Sequence, residues 1–160
     1  MKIRKTPARK KYARQSQPLS DFELSIPPKE DYLTLVRQVT QEIASDHTPL
    51  DATAIDDFVL AVSEAATNAI QAQRQTAIRH PLLIKYLVTP DALKVKIIDR
   101  AKGFSPDKIQ PLPEVTEPDR LNHEYGLGIY LYSTNSDDCS IASSRRGTTI
   151  SLAKSYPTDK

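Results

Sequence analysis

The sequence predicts an α+β fold, a two-layer sandwich with one mixed β-sheet and helices on one face. Three observations carry this. Apolar residues recur at three- and four-residue steps in two stretches between residues 29 and 77. Short stretches on either side alternate at a period of two or carry apolar runs of strand length. The order reads β-α-α-β-β-loop-α-β-β, and strands that come in runs between helices favour segregated layers over an alternating parallel sheet.

Each element has its own signal. Phe22-Glu-Leu-Ser-Ile26 alternates and is stopped by Pro27-Pro28, which predicts a short strand. From Lys29 to Ala44, Tyr32, Leu35, Val36, Val39 and Ile43 share one helical face. After the loop at His47-Thr-Pro-Leu, Asp51 or Thr53 is placed to cap a central helix that ends between Arg74 and Ala77. Leu82 to Val88 and Leu93 to Ile98, joined by a Pro90-Asp91 turn, predict an antiparallel hairpin. A proline-rich loop of about twenty residues follows, a length typical of lids and binding loops. Tyr125-Gly-Leu-Gly-Ile-Tyr-Leu-Tyr132 opens a third helix from its glycines. Cys139 to Ala142 and Thr148 to Ala153 then close the chain as strands about the Arg145-Arg-Gly147 turn.

At 160 residues and 39% apolar, the chain fits one domain with a sizeable core and a polar tail. No apolar run approaches a membrane span, and residues 1–20 lack the apolar segment of a signal peptide. Cys139 is the single cysteine, so no internal disulfide forms. No Cys/His cluster suggests a metal either, and a reducing cytoplasm is the expected compartment.

Charge divides the chain. Residues 1–20 carry seven basic residues and no acid, and subtracting them from the net +2 leaves −5 on residues 21–160. Residues 1–20 therefore read as a disordered basic tail and residues 21–160 as the folded domain. The tail suits contact with nucleic acid, an anionic membrane surface or an acidic partner, and equally a solvated arm without a dedicated partner.

The central helix carries the first chemical signal. Ile55, Phe58, Val59, Val62, Ala65, Ala66, Ala69 and Ile70 form its apolar stripe, while Glu64 and Asn68 stand four apart on another side. A carboxylate stacked on a carboxamide suits a magnesium and phosphate site, and it also suits an ordinary solvated face. The glycines discriminate, because there are four in the chain: Gly103, Gly126, Gly128 and Gly147. Gly103 follows a strand-end acid, Asp99, which suits an acceptor for the exocyclic amine of adenine, with the backbone close to a flat base. Gly126 and Gly128 open a helix, where free N–H groups and the helix dipole favour phosphate. Gly147 turns into the last strand. His47, His80 and His123 are scattered and suggest no catalytic role. Arg145 and Arg146 read as solvated, Tyr125, Tyr130 and Tyr132 as packing residues, and Cys139 as a small buried apolar residue.

In these stretches the chain resembles the ATP-binding domain of the GHKL superfamily. Within it, the chain is most similar to the small bacterial anti-sigma factor serine/threonine kinases of the switch-protein type. Leu60-Ala-Val-Ser-Glu-Ala-Ala-Thr-Asn-Ala69 resembles the N box. Asp99-Arg-Ala-Lys-Gly-Phe104 resembles the first glycine box, followed by the ATP lid. Gly126-Leu-Gly-Ile-Tyr-Leu131 resembles the second glycine box, and Arg146-Gly-Thr-Thr149 the final turn. The resemblance covers about residues 22 to 155. It implies ATP and Mg2+ as ligands, with Asn68 on the metal and Glu64 as general base toward a protein hydroxyl. It implies Asp99, Gly103 and Thr149 at the adenine and Gly126, Leu127 and Gly128 at the phosphates. As partners it implies an antagonist STAS-type domain phosphorylated on serine or threonine, a sigma factor, and a second copy of the chain in a homodimer. Three departures stand out. Ala101 replaces the middle glycine of Asp-x-Gly-x-Gly, Gln71-Ala-Gln-Arg-Gln75 lacks a helix-ending glycine, and the lid is rich in proline. They bear on turnover more than on binding, so a nucleotide-gated module that sequesters a partner without chemistry is the alternative.

Overall fold

A computed structural model of the chain describes residues 19–77, 79–101 and 124–157. The basic tail up to residue 18, the lid and Gly103 lie outside the described residues. The elements are β1 (Ser20–Ile26), a 3-10 turn (Glu30–Tyr32), α1 (Leu33–His47), α2 (Ala52–Gln75), β2 (Leu82–Val88), β3 (Ala92–Ile98), α3 (Glu124–Thr134), β4 (Asp138–Ser144) and β5 (Gly147–Ser155). The five strands form one sheet in the order β1-β2-β3-β5-β4. All four described pairs are antiparallel, so the sheet expected as mixed is antiparallel among the described strands. The physical reason is local: β2–β3 and β4–β5 are neighbours joined by short turns, which antiparallel pairing permits and parallel pairing does not.

One face of the sheet is buried and the other meets solvent. In β2, Leu82, Ile84, Tyr86 and Val88 point inward, joined by Val95 and Ile97 of β3 and by Ile150 and Leu152 of β5. Lys94 and Lys96 of β3 are exposed on the opposite face, the alternation of a half-covered antiparallel sheet. The helices close the buried face. α2 supplies Ile55, Phe58, Ala61, Val62, Ala65, Ala66, Ala69 and Ile70, and α1 supplies Val36, Ile43 and Ala44. Burying a side chain of the size of Phe58 or Ile70 contributes roughly 1.5–3 kcal/mol, so this face outweighs any single polar contact on α2.

The helix ends follow local chemistry. Lys29 to Tyr32 is not α-helical: the predicted first helix begins at Leu33 after the 3-10 turn and continues to His47. The Asp51 side chain accepts from the N–H of Ala54 at 2.8 Å, so Asp51 rather than Thr53 caps α2. At the other end, the missing glycine has a backbone consequence. Ala77 takes φ 56°, a left-handed conformation, while its N–H donates to the Arg74 carbonyl at 3.3 Å. That conformation costs an L-residue with a Cβ roughly 1–2 kcal/mol. Ala77→Gly is therefore expected to stabilise the fold by about 0.5–1 kcal/mol, raising Tm by a few degrees. Urea and thermal melts check this, and a lower midpoint would contradict the strain.

Candidate functional site

α2 carries Glu64 and Asn68 where its apolar stripe gives way, and both are half-buried. α3 packs against this part of α2. A Cβ built on Gly128 of α3 would lie 2.9 Å from Asn68 Oδ1 and 3.0 Å from Nδ2. The two helices meet so closely that any side chain at 128 would require the Asn68 carboxamide to move. One turn later, Tyr132 is buried, and its hydroxyl hydrogen-bonds the Asn68 side chain. Burial pushes the Tyr132 phenol well above its ordinary range, and the Asn68 contact pulls it partly back. A neutral phenol and a glycine backbone thus hold Asn68 in place. Gly126 and Leu127 lie in the first turn of α3. Among the described residues, Glu64 makes no hydrogen bond or ion pair.

The second part of the site is the far end of the central strands. Asp99 follows β3 and is 4% exposed. Its N–H donates to the Thr148 carbonyl at 3.0 Å, extending the β3–β5 ladder by one rung. Its Oδ1 accepts from the N–H of Ala101 at 2.9 Å and from the N–H of Thr148 at 3.2 Å. Both bonds end on one oxygen, so among the described residues Oδ2 is the atom left to accept from a ligand. Burial raises the carboxyl above its ordinary range, while the Ala101 and Thr148 donors lower it.

Gly147 makes this approach possible. It takes φ 138°, and a Cβ there would lie 2.0 Å from the Asp99 carbonyl oxygen. Thr149 pairs with Ile98 in the ladder and is half-buried, while Thr148 is buried. Thr148 therefore stands with Asp99 on the helix-covered face, and Thr149 lies on the other face of β5. The Thr148 hydroxyl is 3.0 Å from that of Ser143, across the β4–β5 pair. The structure thus brings Asn68 to Gly128 and brings Asp99 to Thr148, a residue that the sequence reading passed over for its neighbour. The signal for it was the inward phase of Ile150 and Leu152, which puts residue 148 inside and 149 outside.

Ala101 is buried and has no positive φ. Its turn is held by its own N–H bond to Asp99, so the replacement of glycine at 101 leaves this part of the backbone unstrained. Cys139 is half-buried against the core, Tyr130 is exposed, and Arg145 and Arg146 are exposed.

Comparison with known proteins identifies the family and the fold. The family model described as a histidine kinase-like ATPase domain matches residues 26–154. Serine-protein kinase RsbW of Bacillus velezensis is 32% identical over 139 residues, covering 83% of this chain and 84% of that protein. RsbW of Bacillus subtilis is 29% identical over 137 residues, with 83% and 84% covered. RsbW of Listeria monocytogenes serotype 4a is 32% identical over 119 residues, with 72% and 74% covered. A solved structure of the RsbU and RsbW domains of a Mycobacterium tuberculosis protein aligns with a TM-score of 0.63 at 19% identity, covering 89% of this chain and 35% of that one. At that identity the likeness concerns the fold.

The contact between Gly147 and Asp99 is testable without any ligand. Gly147→Ala forces a methyl group into a backbone oxygen that cannot swing away, and is expected to destabilise the fold by roughly 3 kcal/mol or more. Urea denaturation measures this, and an unchanged midpoint would show that the strand ends are not so tightly joined.

Proposed function

The chain belongs to the histidine kinase-like ATPase domain family, and from that premise we propose that it is an anti-sigma-factor-type serine/threonine protein kinase. In this reading it binds Mg-ATP as substrate and transfers the γ-phosphoryl group to a serine or threonine of an antagonist STAS-type domain. It also sequesters a sigma factor or similar regulatory target, acts as a homodimer and works in the cytoplasm. The observation that carries the reading is the close approach of Gly128 to the Asn68 carboxamide, on the helix that also carries Glu64, which has no hydrogen bond or ion pair among the described residues. The serine-protein kinase names of the relatives support the same activity.

The residues fit such a substrate. Asp99 Oδ2 would accept from the exocyclic amine of adenine, beside Thr148, which takes the role first assigned to Thr149. Gly103 would border the base. Gly126, Leu127 and Gly128 would offer backbone N–H groups to the phosphates at the positive end of α3. Among the described residues no three His, Cys, Asp or Glu side chains form a metal cage. A magnesium ion arriving with the phosphates would take one protein oxygen, from Asn68. Its chemistry would be neutralisation of charge on the transferring group. Glu64, one turn away on α2, would take the proton of the attacking hydroxyl. The basic charge of residues 1–20 would suit contact with nucleic acid or an acidic partner, a lesser part of the reading.

Two variants test it. With Mg-ATP and a candidate antagonist-domain partner, Glu64→Ala is expected to lose phosphate transfer by about a hundredfold or more while keeping nucleotide affinity. Unimpaired transfer would sink the general-base role. Nucleotide binding by the unmodified chain without transfer to any partner would favour a nucleotide-gated binding module instead.

Gly128→Ala separates site from scaffold. Alanine is the better helix former by about 1 kcal/mol, but its methyl group displaces the Asn68 carboxamide. Thermal stability is expected to hold or rise while Mg-ATP affinity, by calorimetry, falls about tenfold. Unchanged affinity would remove Asn68 from the metal.

A further inference from the structure

Gln73, near the end of α2, is fully buried. A buried carboxamide is costly unless both of its ends are engaged. Here both are. Nε2 donates to the His80 carbonyl at 2.6 Å, and Oε1 accepts from the N–H of Arg100 at 3.1 Å. The two backbone partners are of opposite kind, so they fix which end of the amide is oxygen. One side chain therefore ties α2 both to the chain entering β2 and to the turn leaving β3.

That turn is the one that aims Asp99. Its two successive N–H groups are held from different sides: Arg100 by Gln73, and Ala101 by the Asp99 carboxylate itself. Without the first bond, the second would fasten Asp99 only to its own loop and to Thr148. We propose that Gln73 is a positioning residue that sets the Asp99 carboxylate relative to Asn68 on the same helix, and so governs selectivity for adenine over guanine nucleotides. The proposal rests on the reading of Asp99 as the adenine acceptor. Adenine presents an amine donor at its six-position and guanine presents a carbonyl oxygen. A fixed carboxylate attracts the first and repels the second, and this discrimination depends on its placement. The phosphate end, held by Asn68 and the α3 backbone, has no such dependence.

The test uses the full chain and two variants. Gln73→Met keeps the volume and removes both hydrogen bonds. Gln73→Glu keeps an acceptor for Arg100 N–H and changes the His80 contact. Calorimetry gives affinities for Mg-ATP and Mg-GTP, and amide hydrogen exchange without nucleotide reports on Arg100 and Ala101. For Gln73→Met the ATP-to-GTP affinity ratio is expected to fall about tenfold, with Mg-GTP affinity changed less than about twofold. The Arg100 and Ala101 amides should exchange at least about tenfold faster. Gln73→Glu should retain most of the ratio and of the protection. Equal losses of ATP and GTP affinity, or both variants behaving alike, would reduce Gln73 to a general stabiliser and overturn the proposal. So would an unchanged ratio with unchanged exchange in Gln73→Met. An unmodified chain that binds ATP and GTP equally would sink the adenine reading of Asp99 and the selectivity claim with it. In that case the exchange rates alone decide whether Gln73 holds the turn.

Discussion

Asp99 and Gly147 meet where β3 and β5 end, and the site depends on how closely they meet. The Asp99 carbonyl occupies space that any Cβ at residue 147 would need. Its carboxylate oxygen then takes two backbone N–H groups, one from its own turn and one from Thr148. Burial alone would push this carboxyl toward its neutral form, and the two donors work against that. The result is an acceptor held almost out of water with one oxygen already spent. Such an arrangement is costly for a purely structural residue, since a strand end can be closed by a neutral side chain. A carboxyl group kept here is what the proposed adenine contact would use.

α2 joins this end to the other. Its 24 residues place the core stripe, Glu64, Asn68 and Gln73 on one continuous element. The geometry of the site is therefore inherited from a helix whose position is fixed by far larger apolar burial. Ile55 to Ile70 seat the helix on the sheet, and the sheet in turn positions Asp99 and Thr148. Close approach of α3 adds the last constraint, because Gly128 lets its backbone reach the Asn68 carboxamide. Sites built on packed elements hold their side chains better than sites built on loops.

The helices and strands were legible because their signals are periodic and redundant. α2 has eight apolar positions at helical spacing, and no single misreading moves it. The candidate pair Glu64 and Asn68 was legible once the glycines were placed. What was not legible depends on phase or on contacts distant in sequence. Thr148 and Thr149 are identical neighbours, and only the register that sets Ile98 opposite Thr149 tells which one stands beside Asp99. The mixed sheet was an expectation from the order of elements, and strand order cannot be read from that. Gln73 looked like one of several glutamines in a polar helix end. Its importance comes from Arg100, 27 positions away, which no local pattern shows.

Gly128 and Gly147 contrast with two alanines. Gly147 has a positive φ and no room for a Cβ, and Gly128 has no room beside Asn68. Ala77 takes a positive φ without being glycine, and Ala101 needs none. At the two glycine positions a side chain would strike backbone or a site residue, whereas at 77 and 101 alanine meets the demand of a turn. At residue 101 the replacement comes with a hydrogen bond from Ala101 N–H to Asp99, and the same turn is held by Gln73, which bonds both Arg100 and His80. A glycine at 101 would form the turn through backbone freedom, with a larger entropy loss on ordering. This chain restrains the turn through hydrogen bonds, and in the proposed reading less of the nucleotide's binding energy would go into ordering it.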